Sequence, residues 1–342
     1  MKGILMSAVR ALGDLGFATS VGCYQPDLAM HLPTSKPFGL PEQSFYLYGG
    51  WQTESGARHI IERKFTGPMT GGAWLMTDQS GKVQLADEAL QSFRGEVKRF
   101  YTDTEHRYQG SLLGASGGTG IDYRLTAGGI SWSEGDALDL EGHLVGPGIQ
   151  IGTLDHVEPF FYTSEVYKIS GRALGENVEG FVFLDHGYWP HGRDWKEWKV
   201  FGDFQLSWSV YANEFDDGTV EWGQVAIGRD GFNFVAIADA DGPVAMDSGT
   251  QGGIDPTTDD WAQRIGYRAH GGRTWIFELG SGGQLSQFSE ARGGAGYRAQ
   301  VGRVGMHGDT RKVKLGFAWG ESFMERFRDE GTGTVDDLIK PR

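Results

Sequence analysis

A chain of 342 residues is long enough for about two domains, and a makeup of 39% hydrophobic and 22% charged residues excludes a disordered polymer. Its formal charge of −14 leaves no basic stripe to bind a nucleic-acid backbone or an anionic membrane surface, and favours colloidal solubility. The 55 glycines and 13% aromatic residues point instead to many tight turns between pleated, half-buried strands.

Ile4, Leu5, Ala8, Leu12 and Leu15 recur at helical spacing and predict a short amphipathic helix at the start. The first residues carry one early positive charge but no long apolar run. Arg10 and Asp14 interrupt them, so they do not read as a secretory signal. No stretch approaches the ~20 apolar residues of a spanning helix, which makes the cytoplasm the expected location and stable membrane insertion unexpected. Cys23 is the single cysteine, which excludes an internal disulfide framework and a paired-cysteine metal site. Leu85, Ala89, Phe93 and Val97 predict a second helix, with Gly95 weakening it.

Period-two alternation follows. Ile121, Tyr123, Leu125 and Ala127 share one face; so do Leu138, Leu140 and Leu144. Leu206, Trp208, Val210 and Ala212 oppose Ser207, Ser209 and Tyr211. Trp275, Phe277 and Leu279 form another such face, as do Val313, Leu315, Phe317 and Trp319. Each run predicts a half-buried antiparallel strand. Ser80-Gly81, Asp217-Gly218, Asp230-Gly231, Asp241-Gly242 and Gly271-Gly272 supply turns. The fold predicted is all-β: two consecutive antiparallel barrels with one or two short helices. Gly146-Pro147-Gly148 marks the boundary, giving domains 17–150 and 151–328, and the polar tail after Glu330 is expected to be loose. Glycine pairs such as Gly117-Gly118 lack the lysine and the strand-to-helix setting of a phosphate loop, so they read as turns.

The chemistry concentrates in the run from Asp185 to Trp195: two aspartates, two histidines, an arginine and large aromatics in one stretch. Histidine exchanges protons near neutrality, aspartate orients it or acts alone, and Arg193 can hold a carboxylate ionised. Asp185, His186 and Asp194 are therefore the catalytic candidates. Tyr162, Glu165, Tyr188, Trp189, His191, Arg193, Trp195 and Trp208 are the candidates for gripping an apolar ligand. A purely architectural Arg193–Asp194 pair under Trp195 is the competing reading. A metal set of His186, His191 and one aspartate is a weaker one, so no metal and no cofactor is expected. His31, His59, His106, His270 and His307 stand apart in polar surroundings and are expected at the surface.

The pattern Glu165…Ser170-Gly171…Gly180…Asp185-His186…Trp189…Gly192-Arg193-Asp194-Trp195 resembles the second-half signature of tandem lipocalin-like proteins. These include the AttH-type proteins and the carotenoid hydratases of the hydroxyneurosporene synthase group. Their core reads approximately Asp-His-Ser-Trp-Gly-x-Arg-Asp-Trp, whereas Gly187-Tyr188 and Pro190-His191 lengthen the loop here. The resemblance covers residues 160–240. It implies paired lipocalin-like barrels around an apolar cavity, and an aspartate, Asp185 or Asp194, that protonates an alkene before water captures the cation. The expected function is thus a cofactor-independent hydratase, lyase or isomerase acting on an isoprenoid, steroid or aromatic molecule. The alternative is a carrier of such a ligand, and a homodimer is compatible with either.

Overall fold

The computed structural model describes residues 19–87, 92–113, 119–153, 159–190, 205–229, 232–293 and 296–340. The first sheet contains β1 (Ser20–Tyr24), β2 (Glu42–Thr53), β3 (Arg58–Thr66), β4 (Met69–Thr77), β5 (Val83–Leu85), β6 (Ser92–Tyr101) and β7 (His106–Leu113). It continues with β8 (Thr119–Thr126), β9 (Gly129–Glu134), β10 (Leu138–Leu144), β11 (Gly148–Gly152), β12 (Phe161–Ala173) and β13 (Glu176–Tyr188). Neighbours run β12-β10-β9-β8-β7-β6-β4-β3-β2-β13, and pairing of β13 with β12 closes the ring into a ten-stranded antiparallel barrel. Closure leaves these strands no free edge. The long β12 serves two neighbours along its other edge: Phe161–Ser164 pair with β11, and Tyr167–Ala173 pair with β10.

The second sheet is an open half-barrel of β14 (Ser207–Phe215), β15 (Val220–Ile227), β16 (Phe234–Asp239), β17 (Gly242–Ser248), β18 (Gln251–Pro256), β19 (Ala262–Arg268), β20 (Thr274–Gln284), β21 (Tyr297–Met306) and β22 (Val313–Phe323). Its order is β17-β16-β15-β14-β22-β21-β20-β19-β18. The described helices are short: α1 (Ser286–Gly293), α2 (Met324–Glu330) and α3 (Val335–Ile339). None is long and apolar enough to cross a membrane.

Three apolar layers hold these parts together. One fills the barrel around Trp74, Tyr123, Trp132, Val182 and Leu184. A second fills the half-barrel around Tyr211, Ile265, Trp275 and Phe277. The third lies between them, where Phe181, Phe183, Trp208, Trp222, Phe234 and Phe317 meet. β13 and β14 therefore carry apolar side chains on both faces.

Several expectations change. The division at 150/151 falls inside β11, and β12 and β13 belong to the first sheet, so the Asp185-His186 pair is on the closed barrel and not in a second one. The predicted helix across Leu85–Val97 has strands at both ends, β5 and β6, with 88–91 outside the described residues; residues 95–101 alternate in burial, and Arg94–Tyr101 pair residue by residue with β7. β14 is buried on both faces rather than one, because its outer face packs on the barrel. The tail after Glu330 contains α3, whose Thr334 side chain caps the Asp337 backbone N–H and whose Val335 and Leu338 are buried. His31, His59 and His106 are buried, not at the surface. The predicted helix of residues 4–15 lies outside the described residues.

Candidate active site

On β13, Phe181, Phe183 and Asp185 face out of the barrel, and Val182, Leu184 and His186 face in. The adjacent residues Asp185 and His186 consequently belong to two different environments and cannot ligate one ion. Across the outer face the register aligns Ser164, Asp185, Tyr46 and Lys64 on β12, β13, β2 and β3. The next row holds Val166, Phe183, Tyr48 and Glu62.

This outer face is the floor of a cavity of about 390 Å³ between barrel and half-barrel. Tyr48 and Tyr162 both donate to Asp185 Oδ2, at 2.7 and 2.5 Å. Among the described residues, Asp185 Oδ1 has no hydrogen-bond partner. Burial pushes the Asp185 pKa up to about 6, against the opposing pull of the surrounding hydroxyls. A second carboxyl, Glu321 on β22, lines the same cavity. Its Oε1 accepts from Tyr297 Oη at 2.7 Å and Trp319 Nε1 at 3.1 Å, and its Oε2 accepts from Gln205. Burial raises its pKa as well, although all three donors favour the ionised form.

Phe160, Trp189, Trp208, Phe288 and Trp319 wall the space. Tyr162 meets Trp208 edge-on at 5.4 Å, and Tyr48 stacks on Phe183 at 5.3 Å. Gly187 is required here: a Cβ at that position would stand 2.4 Å from the Trp189 ring, so the missing side chain lets the indole fold over the strand.

Inside the barrel, His186 belongs to a buried chain of charges. His186 Nδ1 lies 2.9 Å from Glu42 Oε2, and its Nε2 lies 2.9 Å from His31 Nδ1. His31 Nε2 is 3.0 Å from Glu165 Oε1. Tyr24 and Tyr167 donate to the two Glu165 oxygens, and Arg99 donates to Glu42. Burial opposes charge on His31, but Glu165 outweighs it and the His31 pKa rises. Burial dominates for His186, whose pKa falls. A consistent assignment has His31 protonated on both nitrogens, donating to Glu165 and to neutral His186, which in turn donates to Glu42. Phe45 stacks on the His186 ring at 4.8 Å.

The cavity therefore brings together Asp185, Tyr162, Trp189 and Trp208 of the sequence candidates. His186 and Glu165 are in the inner network, and Tyr188 packs with Leu40 and Phe161. His191, Arg193, Asp194 and Trp195 lie outside the described residues. Sequence reasoning missed Tyr48, Gln205, Tyr297 and Glu321 in the cavity, and His31, Glu42 and Arg99 in the network. Glu321 carries a faint signal, continuing the face of Phe317 and Trp319 as its single charged member.

No protein-family model matches the chain, and no curated protein matches it. Among solved structures it is similar to the crystal structure of kievitone hydratase from Nectria haematococca, with a TM-score of 0.38 and 9% identity over 82% of this chain and 88% of that one. At that TM-score and identity the likeness decides neither fold nor function.

Proposed function

We propose that the cavity is the active site of a cofactor-independent enzyme that hydrates, dehydrates or isomerises a carbon–carbon double bond in an apolar isoprenoid, steroid or aromatic molecule. The observation that carries this reading is Asp185: a carboxyl whose pKa burial pushes up to about 6, one oxygen held by two tyrosines and the other without a hydrogen-bond partner among the described residues, in an aromatic cavity. Such a group keeps roughly a tenth of its population neutral at pH 7, far more than an ordinary aspartate, and can act as a general acid.

In the hydration direction, the alkene π pair takes the Asp185 proton, forming a C–H bond and leaving a cation on the neighbouring carbon. The faces of Trp189, Trp208 and Tyr48 stabilise that charge. Water bonds to the cation, and its surplus proton passes to the Glu321 carboxylate. The product is the alcohol. A proton returning from Glu321 to Asp185 through solvent resets the site. Loss of a proton from an adjacent carbon to Glu321 gives the isomer instead.

The test incubates the protein with a panel of prenylated and steroidal alkenes in D₂O and follows deuterium uptake by mass spectrometry. Asp185→Asn is expected to lower turnover by about 10²–10⁴-fold while tryptophan fluorescence still reports ligand binding, since asparagine keeps the shape but cannot supply the proton. Because aromatic walls alone also suit a hydrophobic-ligand carrier, binding without any turnover in the parent protein favours the carrier and overturns the enzyme.

A further inference from the structure

The outward face of β3 carries Ile60, Glu62 and Lys64 into the cavity wall. Their charges are unequally satisfied. Glu62 is held by Arg292 of α1 at 2.7 Å. The Lys64 ammonium lies 5.3 Å above the Tyr46 ring, and among the described residues it has no carboxylate and no hydrogen-bond partner. The chain has an excess of 14 negative charges, yet this half-buried cation is paired with none of those on the described residues.

Its position relative to Asp185 follows from the register. Lys64 is opposite Tyr46, and Tyr46 is opposite Asp185, all on one face. Neighbouring strands are about 4.8 Å apart, so the two Cα atoms are separated by about 10 Å. A molecule lying across Tyr46 reaches both.

We infer that the ligand of this cavity is amphipathic, with an acidic group, such as a carboxylate or phenolate, that pairs with Lys64 while its apolar body extends over Tyr46 towards Asp185. This rests on the reading of the cavity as the ligand site. An anion placed there replaces water around a partly desolvated ammonium and gains a charge-assisted hydrogen bond. It also fixes which end of the molecule meets the acid, since only one end carries the charge. A purely architectural Lys64, capping Tyr46 by its cation–π contact, would discriminate between no ligands.

Two fluorescent probes separate these cases: 1-anilinonaphthalene-8-sulfonate, and N-phenyl-1-naphthylamine, which has the same rings without the sulfonate. The parent protein is expected to bind the sulfonate more tightly. Lys64→Gln should weaken the sulfonate by about five- to tenfold and leave the neutral probe within about twofold; Lys64→Arg should restore the preference. Trp208→Ala should weaken both probes. If Lys64→Gln changes neither affinity while Trp208→Ala changes both, the cavity binds ligands but the acidic-group inference is overturned. If neither probe binds, or if Trp208→Ala leaves both affinities unchanged, the cavity is not the ligand site and both readings fall.

Discussion

Asp185 ties the proposed chemistry to stability. Its pKa is raised from the ordinary carboxylate value to about 6 by burial, so the folded state binds its proton more tightly than the unfolded chain does. The stabilisation is complete below pH 4 and is lost as pH rises through 6, amounting to about 3 kcal/mol at most. Asp185→Asn removes this dependence. Urea unfolding at pH 4 and pH 8 is expected to find the variant's stability relative to the parent improved at the higher pH; parallel profiles would contradict the burial argument. The inner network has the opposite slope at acid pH. Burial alone would raise the Glu42 pKa, but His186 and Arg99 bring it down to about 2. Its contribution is present above pH 4.5 and is lost as pH falls through 2. Removing one partner leaves an uncompensated buried charge. Glu165→Gln, which strips His31 of its counter-ion, is thus expected to cost about 3–5 kcal/mol at pH 6 by chemical denaturation.

Among the elements, β2 and β22 set how closely barrel and half-barrel approach. Gly50 of β2 meets the Phe317 ring of β22, and a Cβ at position 50 would stand 2.2 Å from it. Relief requires the ring to leave its place or the sheets to separate. Gly50→Ala is therefore expected to destabilise the fold by about 1–3 kcal/mol, as overpacking does. Phe317→Leu in the same chain should recover part of that loss, a coupling readable from a double-mutant cycle in guanidinium. Additive effects would show that the contact is not what constrains the pair.

For the whole molecule, the layer between barrel and half-barrel is an apolar core of its own and includes Phe181, Phe183, Trp208, Trp222 and Phe317. Separating the halves would expose all of these side chains. One calorimetric transition is expected, with the van't Hoff and calorimetric enthalpies equal. A chain ending at residue 204 should bare that face and aggregate. Two resolved transitions, or a monomeric soluble barrel half, would refute the coupling. The cavity lies within this same layer, so ligand binding should raise the midpoint of that single transition.

Alternation and turn chemistry are local properties, and they were enough to identify an all-β chain and to place strands at Leu138–Leu144, Ser207–Ala212 and Val313–Trp319, with turns at Asp217-Gly218 and Gly271-Gly272. Asp185 was legible as a candidate because the run Asp185–Trp195 gathers two aspartates, two histidines and an arginine among large aromatics, a mixture costly to bury without partners. Helical spacing misled at Leu85–Val97, since Phe93 and Val97 satisfy a four-residue and a two-residue period alike and only pairing with β7 decides between them. Tertiary structure alone decided which strands close into a ring, and hence that β13 belongs with β2 rather than with β14. It also decided burial. His31 looks solvent-facing in sequence, because its partner, Glu165 of β12, comes from more than 130 positions away. Whether a polar side chain is wet or buried depends on what packs over it, and a one-dimensional pattern contains no record of that partner.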